Sequence, residues 1–302
     1  MDVRDWQTEE FERFRPHLHS VAYRMLGSAS DAEDAVQEAG IRASSASADE
    51  VANLDGWFTT IVARVCLDML RSRKSRREAP GWDDLDSGAA AFARDDEGPE
   101  QEAMLADSVG LALLVVLDTL APAERVAFVL HDMFGVPFDE IAGITGRSPD
   151  NARQLASRAR RRVQGDNGAQ PAGVGTVSGE RLARQRAVAE AFLAASRGGD
   201  LAGLLAVLDP GVVLHADPAA APSGAPAVLH GARAVAYGAR AASVRSRHSA
   251  VALIDGVPGI VYAPGGRAAL VLAFSYRGDL ISSIDVIADP DRLEALELAV
   301  PG

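Results

Sequence analysis

The sequence predicts a multidomain protein in which two all-α domains precede an α+β domain. Through residue 164, apolar side chains recur at steps of three and four, which is the period of amphipathic helices. Further along, apolar and partly alternating runs are divided by glycine-containing turns, a pattern typical of short antiparallel strands. An acidic linker at residues 80–104 and a linker rich in Gly, Ala and Gln at residues 165–179 separate these parts. We therefore expect domains at residues 1–79, 105–164 and 180–302.

The composition excludes several classes of protein. At 302 residues and 48% hydrophobic content, the chain is long enough to build more than one core. It has no apolar stretch of membrane-spanning length, and its N-terminus is charged from the second residue, unlike a secretory signal. The single cysteine, Cys66, excludes an internal disulfide and is expected to be a buried structural thiol. A single cysteine suits a reducing compartment, so we expect a cytoplasmic protein. No His/Cys/Asp cluster has ligand spacing, so we expect no metal site, and we expect no cofactor.

Charge is distributed unevenly along the chain, whose net charge is −12. The linker at residues 80–104 holds eight carboxylates against one arginine, and so carries a net charge of −7. Residues 64–77 and residues 147–162 are basic instead, each with six Arg or Lys residues against one aspartate. Local potential, rather than total charge, governs docking on nucleic acid. The pattern therefore predicts two basic helices separated by an acidic connector.

Residues 137–163 predict two helices joined by a tight turn. The first should end at Gly146, because glycine takes the positive φ that a helix C-terminus requires. Ser148 can cap the second helix with its hydroxyl, and Pro149 suits the first helical position, where its missing N–H has no partner. An apolar stripe should bury one face of this second helix, formed by Ala152, Leu155, Ala156, Ala159 and Val163.

The opposite face of the second helix is polar, and its side chains are of types that read DNA. Arginine pairs with guanine, asparagine and glutamine pair with adenine, and arginine or serine contacts phosphate. The alternative is a solvated helix in an ordinary helical hairpin. The candidate DNA contacts are Ser148, Asn151, Arg153, Gln154, Ser157, Arg158 and Arg161.

Two earlier helices carry charged surfaces. Ser30 is the expected N-cap of the helix DAEDAVQEAGIRA, which it precedes. One face of this helix is acidic and exposed, and an ordinary solvated helix surface would have the same composition. This face is formed by Asp31, Asp34, Gln37 and Glu38. The long helix GWFTTIVARVCLDMLRSRKSRRE has a broad apolar stripe, and its outer face and C-terminal end hold the first basic cluster.

These segments, taken in order with the helix-turn-helix, resemble regions 2 and 4 of sigma-70 family factors. They are more similar to the extracytoplasmic-function (ECF) group, which keeps only those two regions. Two positions depart from the family pattern: asparagine is usual where Arg64 stands, and an aromatic residue is usual near Ala39 and Gly40. The acidic linker would thread polymerase channels meant for nucleic acid, although a solubilising tether would have the same composition.

The resemblance implies a role for each segment. The acidic helix would dock on the coiled coil of the largest RNA polymerase subunit. The loop at residues 46–55 and the helix behind it would capture an unpaired base of the −10 promoter element. The helix-turn-helix would read the −35 element as duplex DNA. The implied −10 contacts are Asn53 near the base pocket and Arg64, Arg71, Arg73 and Lys74 on the phosphates.

The last domain resembles a SnoaL-like cone of the nuclear-transport-factor-2 type, as found in the sigma-J type of ECF factor. Two motifs of that group correspond to degraded segments at residues 80–83 and 264–267. Helices are expected at residues 180–197, 201–208 and 232–242, with a strand at 212–216. An antiparallel meander should follow, with strands at residues 249–254, 260–263, 268–276 and 280–287.

A pocket in this domain has candidate polar residues but no recognisable catalytic pair. Acid/base catalysis needs two groups within hydrogen-bond reach, and the sequence shows no such pair. We therefore predict no catalytic residue. The candidates are His215, His230, His248, Arg267 and Asp285.

The sequence thus predicts an ECF-type sigma factor that binds core polymerase and promoter DNA and performs no chemistry. The C-terminal domain would be a built-in regulator that contacts the sigma regions or polymerase. One alternative is a one-component regulator whose helix-turn-helix binds an operator alone and whose pocket binds a metabolite. Another is a bifunctional protein with SnoaL-like enzymatic activity.

Overall fold

Two units make up the part of the chain that the computed structural model describes, which is residues 3–45, 53–78, 110–165, 175–221 and 223–301. The first contains the described residues up to 78 together with 117–161, and the second contains 110–116 with those from 162 onward. The base-capture loop before Asn53, the acidic linker and most of the second linker fall outside the described residues.

Three long helices open the first unit: α1 (Val3–Leu26), α2 (Ala29–Ser45) and α3 (Leu54–Glu78). Each packs against the other two. The N-cap of α2 is Ser28 rather than Ser30, since the Ser28 hydroxyl accepts a hydrogen bond from the Asp31 N–H at 3.3 Å. A Cβ at Gly40 would lie 3.2 Å from the Phe11 ring, so Phe11 occupies the space beside the position where the family usually has an aromatic residue.

Helix α3 is buried over most of its circumference. Phe58, Val62 and Cys66 have no solvent exposure, which confirms the predicted apolar stripe and the buried thiol. Burial raises the pKa of the Cys66 thiol to about 12. This cysteine is therefore a packing residue, because a thiol that stays protonated is a poor nucleophile.

The remainder of the first unit contains the helix-turn-helix. Its helices are α4 (Leu111–Thr119, whose first six residues cluster with the second unit), α5 (Pro122–Phe128), α6 (Phe138–Thr145) and α7 (Pro149–Val163). A π-helical turn, Val129–Met133, follows α5. Gly146 ends α6 with a φ of 68°, and Ser148 caps α7 by accepting from the Asn151 N–H, as predicted.

Within the first unit, α3 packs directly on α5 and α6. The Phe134 ring lies between two side chains of α1, with the Arg24 guanidinium 5.1 Å and the His17 ring 5.4 Å from its centroid. On the other side of the contact, the Arg64 guanidinium donates to the Gly143 carbonyl at 3.4 Å. Helix α3 and the helices α5 and α6 of the segment that resembles region 4 therefore belong to one packed unit.

Arg125 of α5 is the largest fully buried side chain in the described residues. Its Nη1 pairs with Asp118 at 3.1 Å, while Nε and Nη2 have no hydrogen-bond partner. Burial lowers the pKa of Arg125, and Asp118 opposes that shift. The positive charge of Arg73 on α3 lowers the pKa of Arg125 further.

The second unit has helices followed by a seven-stranded sheet, in the order β2-β1-β6-β5-β4-β3-β7. Its helices are α8 (Gly175–Gly198), α9 (Leu201–Val207), α10 (Ala232–Ala241), α11 (Ser243–Ser246) and α12 (Pro290–Ala295), with a 3-10 turn at Pro264–Gly266. Its strands are β1 (Leu208–Ala216), β2 (Ala227–His230), β3 (Ser249–Ile254), β4 (Val257–Tyr262), β5 (Leu270–Arg277), β6 (Leu280–Ile287) and β7 (Leu298–Ala299).

The α+β class and the antiparallel order β3 to β6 agree with the prediction, but the sheet has three features that the sequence did not reveal. Strand β1 begins at Leu208, four residues before the strand expected at residues 212–216, and its register against β6 shifts between Leu208 and Val213. Strand β2 was not predicted. The first strand pairs with β6 in parallel, so the sheet is mixed rather than a pure meander.

One face of this sheet is covered by α8, α9 and α10, and the interface is an apolar core. Phe192, Leu204, Val235 and Ile284 are among its buried side chains. Phe192 and Phe274 meet edge to face with ring centroids 5.3 Å apart. In neither unit do the described helices include one that is long and apolar enough to cross a membrane.

We predict opposite outcomes for the two partners of the buried ion pair. Asp118→Ala should destabilise the first unit by about 3 kcal/mol, because it leaves the Arg125 charge buried without a partner. Arg125→Met should be neutral or stabilising, because an apolar side chain of similar length removes two unsatisfied donors. Urea unfolding followed by tryptophan fluorescence measures both, since all three tryptophans precede residue 83. A larger loss for Arg125→Met than for Asp118→Ala would contradict this interpretation.

Candidate nucleic-acid and polymerase interfaces

Helix α7 has the two faces that its sequence predicts. Ala152, Ala156 and Ala159 have no exposure, while Leu155 and Val163 are also buried. The small side chains let α7 lie close to the helices behind it. The opposite face is exposed and contains Asn151, Arg153, Gln154, Ser157, Arg158 and Arg161.

The side chains on the exposed face of α7 differ in whether they already form an ion pair within the protein. The Arg153 guanidinium pairs with Asp150 of the same helix at 2.8 Å and lies 5.3 Å from the centroid of the Phe138 ring. Arg158 pairs with Glu124 of α5 at 3.1 Å. Among the described residues, neither Gln154 nor Arg161 has a recorded side-chain partner, so both are available to a ligand.

Arg160 lies at the edge of this face, and sequence reasoning left it out of the candidate set. Its Nε and Nη2 both donate to the Asp132 carboxylate, at 2.8 and 2.5 Å. Asp132 is in the π-helical turn, which is braced by the His131 ring stacked on Phe138 at 3.9 Å. Arg160 therefore fixes α7 to the element behind it.

The candidate −10 residues lie along α3 and at its start. Asn53 accepts a hydrogen bond from the Gly56 N–H at 3.1 Å and so caps α3. Arg64, Arg71 and Lys74 are exposed along the helix. Arg73 is only partly exposed, because it pairs with Asp31 of α2 and donates to the Leu26 carbonyl. It therefore ties the three helices together and is less accessible than the sequence suggests.

The acidic face of α2 is exposed at Asp34, Gln37 and Glu38. Asp31 is set apart from these three by its ion pair with Arg73. Glu38 pairs with Arg42 on the same helix at 2.8 Å, and Gln37 donates to Glu33.

Ile41 is a surface residue that sequence reasoning missed. Its side chain is 66% exposed, the highest value among the large apolar side chains that the structure describes as exposed. It follows Glu38 by three positions and Asp34 by seven, so all three lie on one face of α2. Its position in the acidic face, rather than in the apolar stripe, is the signal that could have identified it.

The structure brings together only two of the five candidate pocket residues. His215 and Asp285 are register partners on β1 and β6, and both line a groove of about 290 Å³ with Asp217 and Arg292. His230 lies on the outer strand β2, where it pairs with Val213 of β1, and it does not line this groove. His248 and Arg267 lie outside its lining as well, at the start of β3 and before β5.

Asp217, the buried acid in this groove, is engaged in holding loops. It accepts hydrogen bonds from the N–H groups of Ala220, Ala288 and Asp289 at 2.8 to 3.0 Å, and Arg292 lies 3.4 Å away. Burial alone would raise the pKa of Asp217, but these donors outweigh burial and lower it. Among the described residues, no three His, Cys, Asp or Glu side chains are placed to hold a metal ion.

Comparison with known proteins identifies the family. The profile of Sigma-70 region 2 matches residues 11–76, and that of Sigma-70, region 4 matches residues 110–163. The chain is also 33% identical, over the full length of both proteins, to the probable ECF RNA polymerase sigma factor SigI of Mycobacterium tuberculosis. The chain belongs to the ECF sigma factors of the sigma-70 family. Its function is therefore in promoter-specific transcription initiation.

Other ECF sigma factors are similar over part of the chain. The M. tuberculosis ECF RNA polymerase sigma factor SigJ is 42% identical over 211 residues, which are 70% of this chain and 65% of that protein. The ECF RNA polymerase sigma factor SigE of Mycolicibacterium smegmatis is 32% identical over 149 residues, covering 49% of this chain and 56% of the relative. A crystal structure of M. tuberculosis SigJ aligns with a TM-score of 0.44 at 32% identity, covering 94% of this chain and 97% of that one.

Proposed function

We propose that this sigma factor brings RNA polymerase core to promoters through two DNA-reading surfaces. Helix α7 reads the −35 element as duplex DNA, and α3 with the segment before it binds the −10 element. The observation that carries the proposal is the division of α7 into a fully buried apolar stripe and an exposed face of DNA-reading side chains. A helix in the major groove needs this division, because it must be anchored on one side and polar on the other.

The proposed polymerase contact is the face of α2 formed by Asp34, Gln37, Glu38 and Ile41. Interfaces of this kind commonly combine a central apolar anchor with charged neighbours that set orientation and association rate. Asp31 contributes to α2–α3 packing in this proposal, because Arg73 already engages it.

We further propose that the chain performs no chemistry and acts in the cytoplasm, where core polymerase is found. Two observations support the first part. The helix-covered face of the sheet is filled by apolar side chains. The buried acid of the groove, Asp217, is engaged by backbone donors and Arg292 rather than by an acid/base partner.

The part of the second unit from α8 onward is proposed as a covalently attached regulator. A tether such as the chain between α7 and α8 gives a local concentration on the order of millimolar, so even weak docking on the sigma regions or on polymerase would suffice.

Two substitutions on α7 should separate base reading from phosphate binding. Gln154→Ala should relax the preference at one base pair of the −35 element by about 1–3 kcal/mol, because it removes a base contact. Arg161→Ala should weaken binding to all sequences alike and reduce the salt slope by about 1, because it removes a phosphate contact. Binding of the polymerase complex to promoter variants at several salt concentrations measures both. Identical effects from the two substitutions would contradict the assigned roles.

Releasing α8 and the residues that follow it, after the chain has folded, should change activity. A specific protease site placed within residues 166–174 allows cleavage of the folded chain, and nanomolar dilution then removes the effect of tethering. Release should raise core affinity if the domain restrains the sigma regions, and lower it if the domain contacts polymerase. The uncleaved chain carrying the same site is the control. Core affinity and transcription that are unchanged by complete release would contradict the regulatory role.

A further inference from the structure

Three arginines of α7 use different nitrogen atoms in their ion pairs. Arg160 engages Nε and Nη2 with Asp132, which occupies one edge of its guanidinium. Arg153 engages Nη1, on an Asp150 side chain that is 85% exposed. Arg158 engages Nε, on the Glu124 carboxylate of a different helix. A guanidinium that is approached at Nε keeps one N–H on each of Nη1 and Nη2 for a second partner.

The Arg158 pair is also asymmetric in its exposure to solvent. The Glu124 side chain is 10% exposed, whereas the Arg158 side chain is 52% exposed. Glu124 lies in the first turn of α5, within the packed helices behind α7. The carboxylate is therefore fixed by the protein interior, and the outer half of the guanidinium remains in solvent.

We infer that Glu124 is a positioning residue that sets the base preference of Arg158. Two nitrogens of one guanidinium are needed to pair with O6 and N7 of guanine, and the Nη1–Nη2 edge of Arg158 supplies them. An arginine held at Nε presents this edge in a restricted direction. Without that restraint the side chain samples many rotamers and can reach phosphates or other base edges instead. This inference rests on the proposed function of α7 as the −35 reader.

The contrast with Arg160 sharpens the inference. The Asp132 carboxylate takes both Nε and Nη2 of Arg160, whose side chain lies at the edge of the exposed face of α7 and is less exposed than that of Arg158, at 43% against 52%. The Asp132 pair should therefore hold α7 in place without affecting which base is preferred. The two carboxylates differ in function although both pair with an arginine of the same helix.

The test uses the full-length chain with core polymerase and promoters in which each −35 base pair is varied singly. Arg158→Ala first identifies the base pair whose preference depends on this side chain. Glu124→Gln, which keeps the size of the side chain and removes its charge, should reduce the preference at that same base pair by about five- to tenfold. The double variant should show no further loss of preference beyond Arg158→Ala alone. The salt slope should stay as in the wild type for Glu124→Gln.

Two matched variants distinguish the positioning of Arg158 from a general effect of charge and from an effect on folding. Glu140→Gln makes the same charge change at an exposed carboxylate in the first turn of α6, and should leave every base preference unaltered. Asp132→Asn should lower the unfolding temperature and weaken binding to all sequences equally. The unfolding temperature of each variant is measured beside its base preference.

The inference is overturned if Glu124→Gln weakens binding to all sequences equally, if it changes preference at a different base pair, or if Arg158→Ala changes preference at none. In each of those cases the wild type still selects promoters, so the proposed function stands. If the wild-type chain with core polymerase shows no −35 preference at all, the proposed function itself is contradicted. The two failures are thus distinguishable.

Discussion

Helix α3 packs against two groups of helices at once, and the packing of the first unit depends on these contacts. It packs against α1 and α2, and also against α5 and α6 of the helix-turn-helix segment. This double burial explains why Cys66 and Phe58 are inaccessible and why Arg125 is enclosed with two donors unsatisfied. It also restricts the candidate −10 contacts to the outer strip of α3, where Arg71 and Lys74 remain exposed.

The predictions that agree with the structure rest on local physics. The buried stripe of α7, the left-handed conformation of Gly146 and the Ser148 cap follow from residues within one turn of each other. The apolar side of α3 was predictable for the same reason. The sequence is less informative where a strand depends on a distant partner. Strand β1 begins four residues before its predicted start because Leu208, like Val213 further along, pairs with β6, and its partner Ile281 is 73 positions away.

In the candidate interfaces, too, the sequence predicts the local features but not the contacts between distant residues. Helical periodicity predicts which side chains of α7 and α2 face outward, and the structure places them so. Their partners could not be predicted, because Glu124 and Asp132 lie 34 and 28 positions from the arginines that they bind. The resemblance to region 2 implies a phosphate contact for Arg73, whereas its pairing with Asp31 requires α2 and α3 to be packed together. Charge predicts that an arginine will find a partner, but only the fold determines which one.

We propose that core polymerase supplies the affinity for DNA that α7 and α3 lack when the chain is alone. Run-off transcription on a promoter library, with purified core enzyme and this chain, tests this proposal when DNA binding by the chain alone is measured beside it. We expect transcripts from a defined promoter class only when both proteins are present, and weak, salt-sensitive DNA binding by the chain alone. Tight, sequence-specific binding by the chain alone, with no promoter-dependent transcripts when core enzyme is added, would contradict it.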